Sequence, residues 1–192
     1  MTQDPYVDPA TGVLRNLLGL TTAAELATAE ADITFAADVS LIDSPEPGAF
    51  DLAHLCRIHR RLFGDIYGWA GEVRTVGIDK GAPFAHPQFI EEQSAMIFRH
   101  LAEERYLVGL PREQFVDRLT HFLSDVNALH PFRDGNGRAQ RAFFRHLAAE
   151  AGWHLDWTGV TAEENVAASA SSLVGDLEPL RRLLDRVVRP LE

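Results

Sequence analysis

Residues 130–141 of the chain read His-Pro-Phe-Arg-Asp-Gly-Asn-Gly-Arg-Ala-Gln-Arg. This short stretch combines a titratable imidazole, a carboxylate, two glycines around an asparagine, and two arginines three residues apart. Few purposes need that combination in so little sequence. The one we favour is binding of a nucleotide's phosphates beside a base that can deprotonate an attacking hydroxyl.

The stretch lies between two predicted helices. Apolar residues before it recur at steps of four and three and so share one helix face: Phe115, Leu119, Phe122, Val126 and Leu129. Pro131 disfavours α geometry at the preceding residue, so this helix should end at His130. The next helix should begin at Asn136 or Gly137 and stop near Gly152.

The glycines of the stretch predict an anion site. Gly135, Asn136 and Gly137 suit a phosphate, because glycines let consecutive amides turn inward and a helix N-terminus adds free N–H groups. Arg138 and Arg141 project from the same side of the following helix. Their planar guanidinium groups match phosphate oxygens.

Two further residues of the stretch predict catalysis. Asp134 would repel neighbouring phosphates unless a cation intervened, which predicts Mg²⁺ held by one carboxylate, phosphate oxygens and waters. His130 suits a general base, because an imidazole titrates close to neutral pH. Phe132 should point into the core and anchor the loop.

Composition bounds the fold and the function classes. With 192 residues, 46% apolar and 24% charged, the chain fits one globular domain. The only cysteine, Cys56, excludes an intrachain disulfide and a thiolate metal cluster. A net charge of −10 argues against direct nucleic-acid or anionic-membrane binding. No signal peptide or membrane span is recognisable, so a cytoplasmic protein is expected.

Residues 71–87 interrupt the helical pattern. Val76 and its neighbours favour strand, whereas Gly77, Gly81 and Pro83 supply turns. We predict a short β-hairpin or extended flap here.

Helices occupy the rest of the chain. Thr22, Asp51 and Thr161 are predicted N-caps, and Pro190 should end the last helix. The expected organisation is one domain over 1–192, with a core at about 51–157, N-terminal helices at 11–43 and C-terminal helices at 161–189.

The motif at residues 130–141 resembles the signature of the Fic domain family, His-Pro-Phe-x-(Asp/Glu)-Gly-Asn-Gly-Arg followed by a further arginine. Every position is matched. Residues 62–67 and 69–74 are similar to the segment that leads to the family's flap, and Lys80 and Phe84 are similar to the flap itself. The resemblance covers most of the chain.

This resemblance implies an all-α fold with a short β-hairpin flap over the active site. It implies transfer of AMP from ATP to a Ser, Thr or Tyr hydroxyl of a target protein. His130 would be the base, Asp134 would hold Mg²⁺, and residues 135–137, Arg138 and Arg141 would hold phosphates.

Two further expectations follow from the resemblance. The related Doc kinases carry a lysine at the position of Gly137, so glycine favours nucleotidyl transfer over phosphate transfer. The flap residues Val76, Ile78, Lys80 and Phe84 are expected to align the target segment, for which strand addition is a plausible mode.

Many members of the family are blocked by a helix bearing (Ser/Thr)-x-x-x-Glu-(Gly/Asn), whose glutamate pairs with the second arginine, here Arg141. Thr21–Glu25 has the spacing, but Leu26 follows. Glu164–Asn165 has the ending, but Val160 replaces Ser or Thr. We therefore expect a toxin without a built-in inhibitor, restrained by a separate small antitoxin. A DNA topoisomerase subunit is the family-level expectation for the target.

Three other functions remain open. The same scaffold could move phosphate, UMP or phosphocholine, or it could be a non-enzymatic module that senses a nucleotide. The eight histidines invite a metal hydrolase, but no His-Glu-x-x-His pattern occurs. His130 and Asp134 favour catalysis, because a sensor needs no base.

Overall fold

The computed structural model describes residues 4–79 and 82–191. Within these ranges the elements are α1 (Ala23–Asp43), α2 (Leu52–Phe63), α3 (Ile90–Glu103), α4 (Arg112–Leu129), α5 (Asn136–Glu150), β1 (Trp153–Leu155), α6 (Ala162–Leu173), α7 (Glu178–Val187) and β2 (Val188–Pro190). Two single 3₁₀ turns complete them, at Pro87–Phe89 and Arg105–Leu107. Helices dominate, so the predicted all-α class is confirmed.

The three helix starts that the sequence predicts are each capped by the predicted side chain. The Thr22 hydroxyl accepts a hydrogen bond from the Glu25 N–H at 3.3 Å, and the Asp51 carboxylate accepts one from the His54 N–H at 2.7 Å. Thr161 completes the reciprocal capping box at the start of α6. Each cap satisfies an amide that the first helical turn leaves without a backbone partner.

Helix α4 is the centre of the fold. Its predicted apolar face is buried, and Val116 and Leu123 are buried as well. The helix is covered on several sides because α3, α5, α6 and α7 all pack against it. It ends as predicted at His130, which adopts the left-handed conformation (φ 44°, ψ 63°).

Helix α2 packs against α5 on one side and α1 on another. Phe63, Phe143 and Phe144 fill this part of the core and are fully buried. Phe63 is the last residue of α2 and lies directly beside the start of α5. No helix in the described part of the chain is long and apolar enough to cross a lipid bilayer.

The regular sheet lies where the sequence did not predict it. β1 pairs with β2 in antiparallel register, with His154 opposite Arg189. The prediction that Pro190 ends the last helix is wrong, because α7 stops at Val187 and the chain continues as a strand. Val188 has extended geometry and is fully buried, so this β-branched side chain stabilises the strand through its packing.

The flap at residues 71–87 contains no regular strand in its described part. Asp79 and Pro83 form an isolated antiparallel bridge on either side of residues 80–81, which are outside the described ranges. The predicted hairpin is therefore reduced to a single bridge. A physical reason is that Arg74 takes the carbonyls of Val76 and Ala85, which leaves fewer groups for strand pairing.

Candidate active site

The chain crosses from α4 to α5 through two left-handed residues. His130 has φ 44° and Gly135, the N-cap of α5, has φ 78°. The loop between them brings the end of one helix to the beginning of the next. The first amides of α5 have no partner within the helix, and the positive end of its dipole lies at the same place.

Asn136 fixes the shape of this loop. Its Oδ1 accepts a hydrogen bond from the Phe132 N–H at 2.9 Å, and its Nδ2 donates one to the Phe132 carbonyl at 2.8 Å. The side chain is buried, with both polar atoms of the amide in use. Asn136 was predicted to hold phosphate, and in this geometry it can do so through its backbone N–H.

The two glycines of the loop have different surroundings. A Cβ at Gly135 would lie 2.4 Å from a Phe63 ring carbon, and the positive φ is strained for any L side chain. Among the described residues, a Cβ at Gly137 would meet only the terminal nitrogen of Arg141, at 3.5 Å. Gly135 is therefore required by the fold, whereas Gly137 leaves open space at the helix start.

His59 of α2 binds the backbone of the loop between α4 and α5, a contact that the sequence did not predict. The Gly71 N–H donates to its Nδ1 at 2.9 Å, so Nε2 carries the proton and donates to the Asp134 carbonyl at 2.9 Å. The ring is stacked between Phe63 and Phe132. Burial lowers the pKa of His59 to about 4, although the Asp134 carbonyl opposes this, so the ring is neutral.

His130 lies at the mouth of the loop, 7% exposed. Its Nδ1 is 3.2 Å from the Asn127 carbonyl, and its ring stacks on Phe84 with centroids 3.7 Å apart. Because a carbonyl oxygen only accepts, Nδ1 carries the proton in the neutral ring and the lone pair is on Nε2. This is the tautomer that a general base requires.

The first arginine of α5 is bound to α1. Arg138 donates to the Glu30 carboxylate at 2.6 Å and to the Thr34 hydroxyl at 3.2 Å, and its guanidinium lies 4.6 Å from the Phe63 ring centroid. Glu30 also accepts a hydrogen bond from the Tyr67 hydroxyl. This pair joins residues 108 positions apart, which no local pattern in the sequence indicates.

The second arginine is in a different state. Arg141 makes no hydrogen bond or ion pair with any residue in 4–79 or 82–191. Burial lowers its pKa, Asp38 opposes this change, and Arg138 and Arg145 reinforce it. A partly buried cation surrounded by other cations attracts an anion.

Asp134 stands beside the open end of the loop and is half-buried. Its Oδ1 accepts a hydrogen bond from the Gly135 N–H at 2.6 Å. No group of three or more His, Cys, Asp or Glu side chains suited to a metal occurs among the described residues. One carboxylate at a phosphate site is the kind of donor that Mg²⁺ uses, so the site fits that ion.

Two cavities meet at this site. A cavity of about 160 Å³ lies between the loop, α4 and α6, and one of about 680 Å³ lies between α1 and α5. Arg141 and Trp157 line both.

The predicted flap residues are divided between two settings. Phe84 is buried against the His130 ring, whereas Val76 and Ile78 are half-buried farther along the flap. Lys80 lies outside the described residues. Phe84 thus covers the base instead of presenting its ring to solvent.

These features define a class of protein: a helical domain in which a helix N-terminus suited to an anion lies next to an imidazole and beneath a flap. The chain matches the model of the Fic/DOC family over residues 49–148 and belongs to that family. The prediction from the signature is confirmed.

Relatives and solved structures agree with this assignment. The probable protein adenylyltransferase Fic of Salmonella typhimurium is 43% identical over 189 residues, 97% of this chain and 92% of that protein. Protein adenylyltransferase VbhT of Bartonella schoenbuchensis is 42% identical over 96% of this chain, which spans only 39% of that protein. The crystal structure of the BepC protein of Bartonella tribocorum with bound AMPPNP has a TM-score of 0.91, 25% identity and 97% coverage of both chains.

Proposed function

We propose that the chain is a protein adenylyltransferase that transfers AMP from ATP to a Ser, Thr or Tyr hydroxyl of a target protein and releases pyrophosphate. One observation carries the proposal. The His130 ring, with Nδ1 held by the Asn127 carbonyl, lies next to a glycine loop with open space at Gly137 and an arginine, Arg141, without an anionic partner among the described residues. The names of the curated relatives and the AMPPNP in BepC support it.

The reaction balances with the groups of this site. The target oxygen attacks the α-phosphorus, its proton passes to Nε2 of His130, and the bond from that phosphorus to the pyrophosphate oxygen breaks. Pyrophosphate leaves with the electron pair. The amides of Asn136 and Gly137 and the guanidinium of Arg141 stabilise the charge that develops on the phosphate oxygens, as is general for transfer at phosphorus. Gly135 was also predicted to hold phosphate, but its N–H donates to Asp134 Oδ1 in this structure.

Asp134 is the residue that would hold Mg²⁺. The ion would neutralise phosphate charge next to this carboxylate. The Gly135 N–H and the His59 contact to the Asp134 carbonyl fix the backbone here, so the carboxylate stays near the amides of Asn136 and Gly137.

Arg138 and Arg141 have different roles in this proposal. Arg141 has no competing carboxylate contact and binds the β- and γ-phosphates directly. Arg138 must exchange Glu30 for phosphate oxygens before it can do the same, and until then it contributes positive charge to the field of the site.

The 160 Å³ cavity is our candidate for the adenine site. Its walls are largely apolar, with Leu123, Trp157, Val166 and Leu173 among them. Asn165 also lines it, and its side-chain amide makes no hydrogen bond within the described residues. A planar heterocycle between apolar walls, with one amide at its edge, is a common arrangement for a base.

The flap is our candidate for target docking. Val76 and Ile78 are half-buried and lie on the chain segment that leads away from the base. An extended target segment laid along this edge would bring its hydroxyl towards His130. Lys80 belongs to the same proposal on the strength of the sequence alone.

The 680 Å³ groove is our candidate for an antitoxin site. Phe35 and Ile42 of α1 line it and are 72% and 57% exposed, opposite the arginines of α5. An amphipathic helix with a glutamate would cover this apolar surface and pair with Arg141. We propose on this basis that the chain is a toxin with a separate antitoxin.

The internal glutamates that came closest to the inhibitory motif are engaged elsewhere. Glu25 accepts a hydrogen bond from the Thr22 hydroxyl at 2.6 Å, and Glu164 caps α6 and pairs with Arg186. Neither contacts Arg141. This supports an inhibitor supplied by another chain.

The reaction consumes ATP, so we assign it to the cytoplasm. A DNA topoisomerase subunit is the first target to test.

The test is transfer of label from ATP to protein. With purified chain, Mg²⁺ and lysate, α-³²P ATP should label a protein band and γ-³²P ATP should not. His130→Ala should lower the rate about 10²–10⁴-fold, and Arg141→Ala should abolish labelling. Arg182→Ala, on the exposed face of α7, serves as the matched arginine control.

Labelling from γ-³²P ATP alone would show phosphate transfer instead. ATP binding without any covalent product, unchanged in His130→Ala, would show a nucleotide sensor.

A further inference from the structure

Arg74 is a charged side chain in the interior of the protein. It is 1% exposed, yet it forms no ion pair with any residue that the structure describes. Burial lowers its pKa. A buried cation is costly unless other groups stabilise its charge, so its surroundings require an explanation.

Four backbone carbonyls provide that stabilisation. The guanidinium donates to the carbonyls of Leu129 (3.4 Å) and His130 (2.8 Å) at the end of α4, and to those of Val76 (2.7 Å) and Ala85 (2.5 Å) in the flap. Carbonyls at a helix C-terminus lack partners within the helix and lie at the negative end of its dipole. Arg74 therefore caps α4 from outside the helix.

The same side chain joins the two halves of the catalytic arrangement. Val76 precedes the flap bridge and Ala85 follows it, so one guanidinium holds both legs of the flap. Its other contacts hold the backbone of His130. Two backbone bonds act in parallel: the Arg74 N–H donates to the Pro131 carbonyl at 2.8 Å and the Ala85 N–H to the Ala128 carbonyl at 3.0 Å.

The conformation of His130 makes this contact significant. A non-glycine residue at φ 44° is strained and persists only where its surroundings fix it. Phe84, next to Ala85, stacks on the imidazole, so a shift of the flap base would move the ring that covers the base.

We propose that Arg74 is a positioning residue that sets the placement of the flap relative to the His130 imidazole. The proposal rests on the adenylyltransferase function proposed above. Within the described residues Arg74 makes no hydrogen bond to residues 135–141, which include the proposed phosphate-binding groups. That part of the loop is fixed separately, by His59 and Asn136. Placement of the target hydroxyl should therefore depend on Arg74, and nucleotide affinity should not.

Arg74→Lys is the informative variant. Lysine keeps the charge but has a single ammonium, which cannot replace a planar fork that reaches four carbonyls. We expect kcat to fall about tenfold or more and KM for the lysate protein labelled from α-³²P ATP, once purified, to rise, while the Kd for ATP stays within about threefold. Arg112→Lys is the matched control, because Arg112 donates to carbonyls at the end of α7, and its activity should equal that of the wild type.

Amide hydrogen exchange tests the inference without activity. In Arg74→Lys the Ala85 and His130 amides should exchange faster, whereas the Phe132 amide, bound to Asn136, should not change. If the variant does not fold, exchange in the wild type under mild denaturant decides. There the Ala85 and His130 amides should share one opening free energy, distinct from that of Phe132.

Three results would overturn the proposal. They are an unchanged kcat in Arg74→Lys, a loss of ATP affinity as large as the loss of kcat, and different opening free energies for the Ala85 and His130 amides. Failure of the wild type to transfer AMP would refute the proposed function, and the exchange results would then decide on Arg74 alone.

Discussion

The loop at residues 130–137, where we propose that phosphate binds, and the flap face each other across His130, but they are held in different ways. The loop is fixed through its whole length by side chains in contact with its backbone: Asn136 from within, His59 from α2, and Phe63 against Gly135. Within the described residues the flap is held near its base, by Arg74, by the Ala85 N–H bond to the Ala128 carbonyl and by Tyr6, whose hydroxyl accepts from the Thr75 N–H. The Phe84 ring also stacks on His130. The described tip of the flap has one bridge.

This difference separates two tasks. A nucleotide presents the same phosphates in every turnover, so a rigid nest loses little entropy when it binds. A protein target brings a segment of variable sequence, so an adaptable edge with a fixed base suits it. In the function proposed above, the rigid half sets which bond of the nucleotide is broken and the adaptable half sets which protein segment is modified.

The largest effect is expected from the loop glycines. Gly135→Ala introduces a positive-φ strain and a Cβ 2.4 Å from Phe63, and should lower the free energy of unfolding by about 2–5 kcal/mol. Gly137→Ala should leave stability within about 0.5 kcal/mol, because the only nearby atom belongs to the flexible end of Arg141. Urea unfolding of both variants measures this, and equal losses would refute the distinction.

A smaller effect is expected from acid. The pKa of His59 is about 4 in the folded protein and about 6.5 when the chain is unfolded. The folded state therefore resists protonation, so the contribution is complete above pH 6.5 and is lost as the pH falls from 6.5 to 4. The loss is about 3 kcal/mol, at about 1.4 kcal/mol per pKa unit.

Urea unfolding of the wild type and His59→Asn between pH 7 and 4 measures the contribution of His59 to the pH dependence of the free energy of unfolding. The variant lacks the titrating group, so its stability should fall less steeply over that window. Parallel slopes would show that other groups account for the acid sensitivity.

The smallest effect is expected at the flap. Tyr6→Phe removes the acceptor of the Thr75 N–H and should cost about 1 kcal/mol or less, since Thr75 is exposed and water can replace the bond. Hydrogen exchange should speed up at Thr75 and stay unchanged at Phe132. Faster exchange at Phe132 would mean that flap and loop open together.

Much of this arrangement could be predicted from local sequence. The burial of one face of α4 follows from its apolar spacing, its end follows from Pro131, and the starts of α1, α2 and α6 follow from their capping residues. The loop between α4 and α5 and the family were predictable because the whole signature lies within residues 130–141. Such features depend on neighbours a few positions apart.

The remaining features depend on contacts between distant residues. Each strand of the sheet has only three residues, and their pairing joins Trp153 to Pro190. An arginine normally predicts a surface position, so the burial of Arg74 follows only from the carbonyls that surround it. The pairing of Arg138 with Glu30 spans 108 positions, and the role of His59 depends on Asp134, 75 positions away.

The unequal surroundings of the two glycines also bear on how such enzymes diversify. The neighbours of Gly135 leave no room for a side chain, so a substitution there disrupts the fold on which the whole site depends. Gly137 has room for a larger residue, and in the proposed function a side chain there would occupy space next to the phosphates of the nucleotide. A substitution at this one position is therefore a route by which the reaction of such a domain changes while its scaffold is kept.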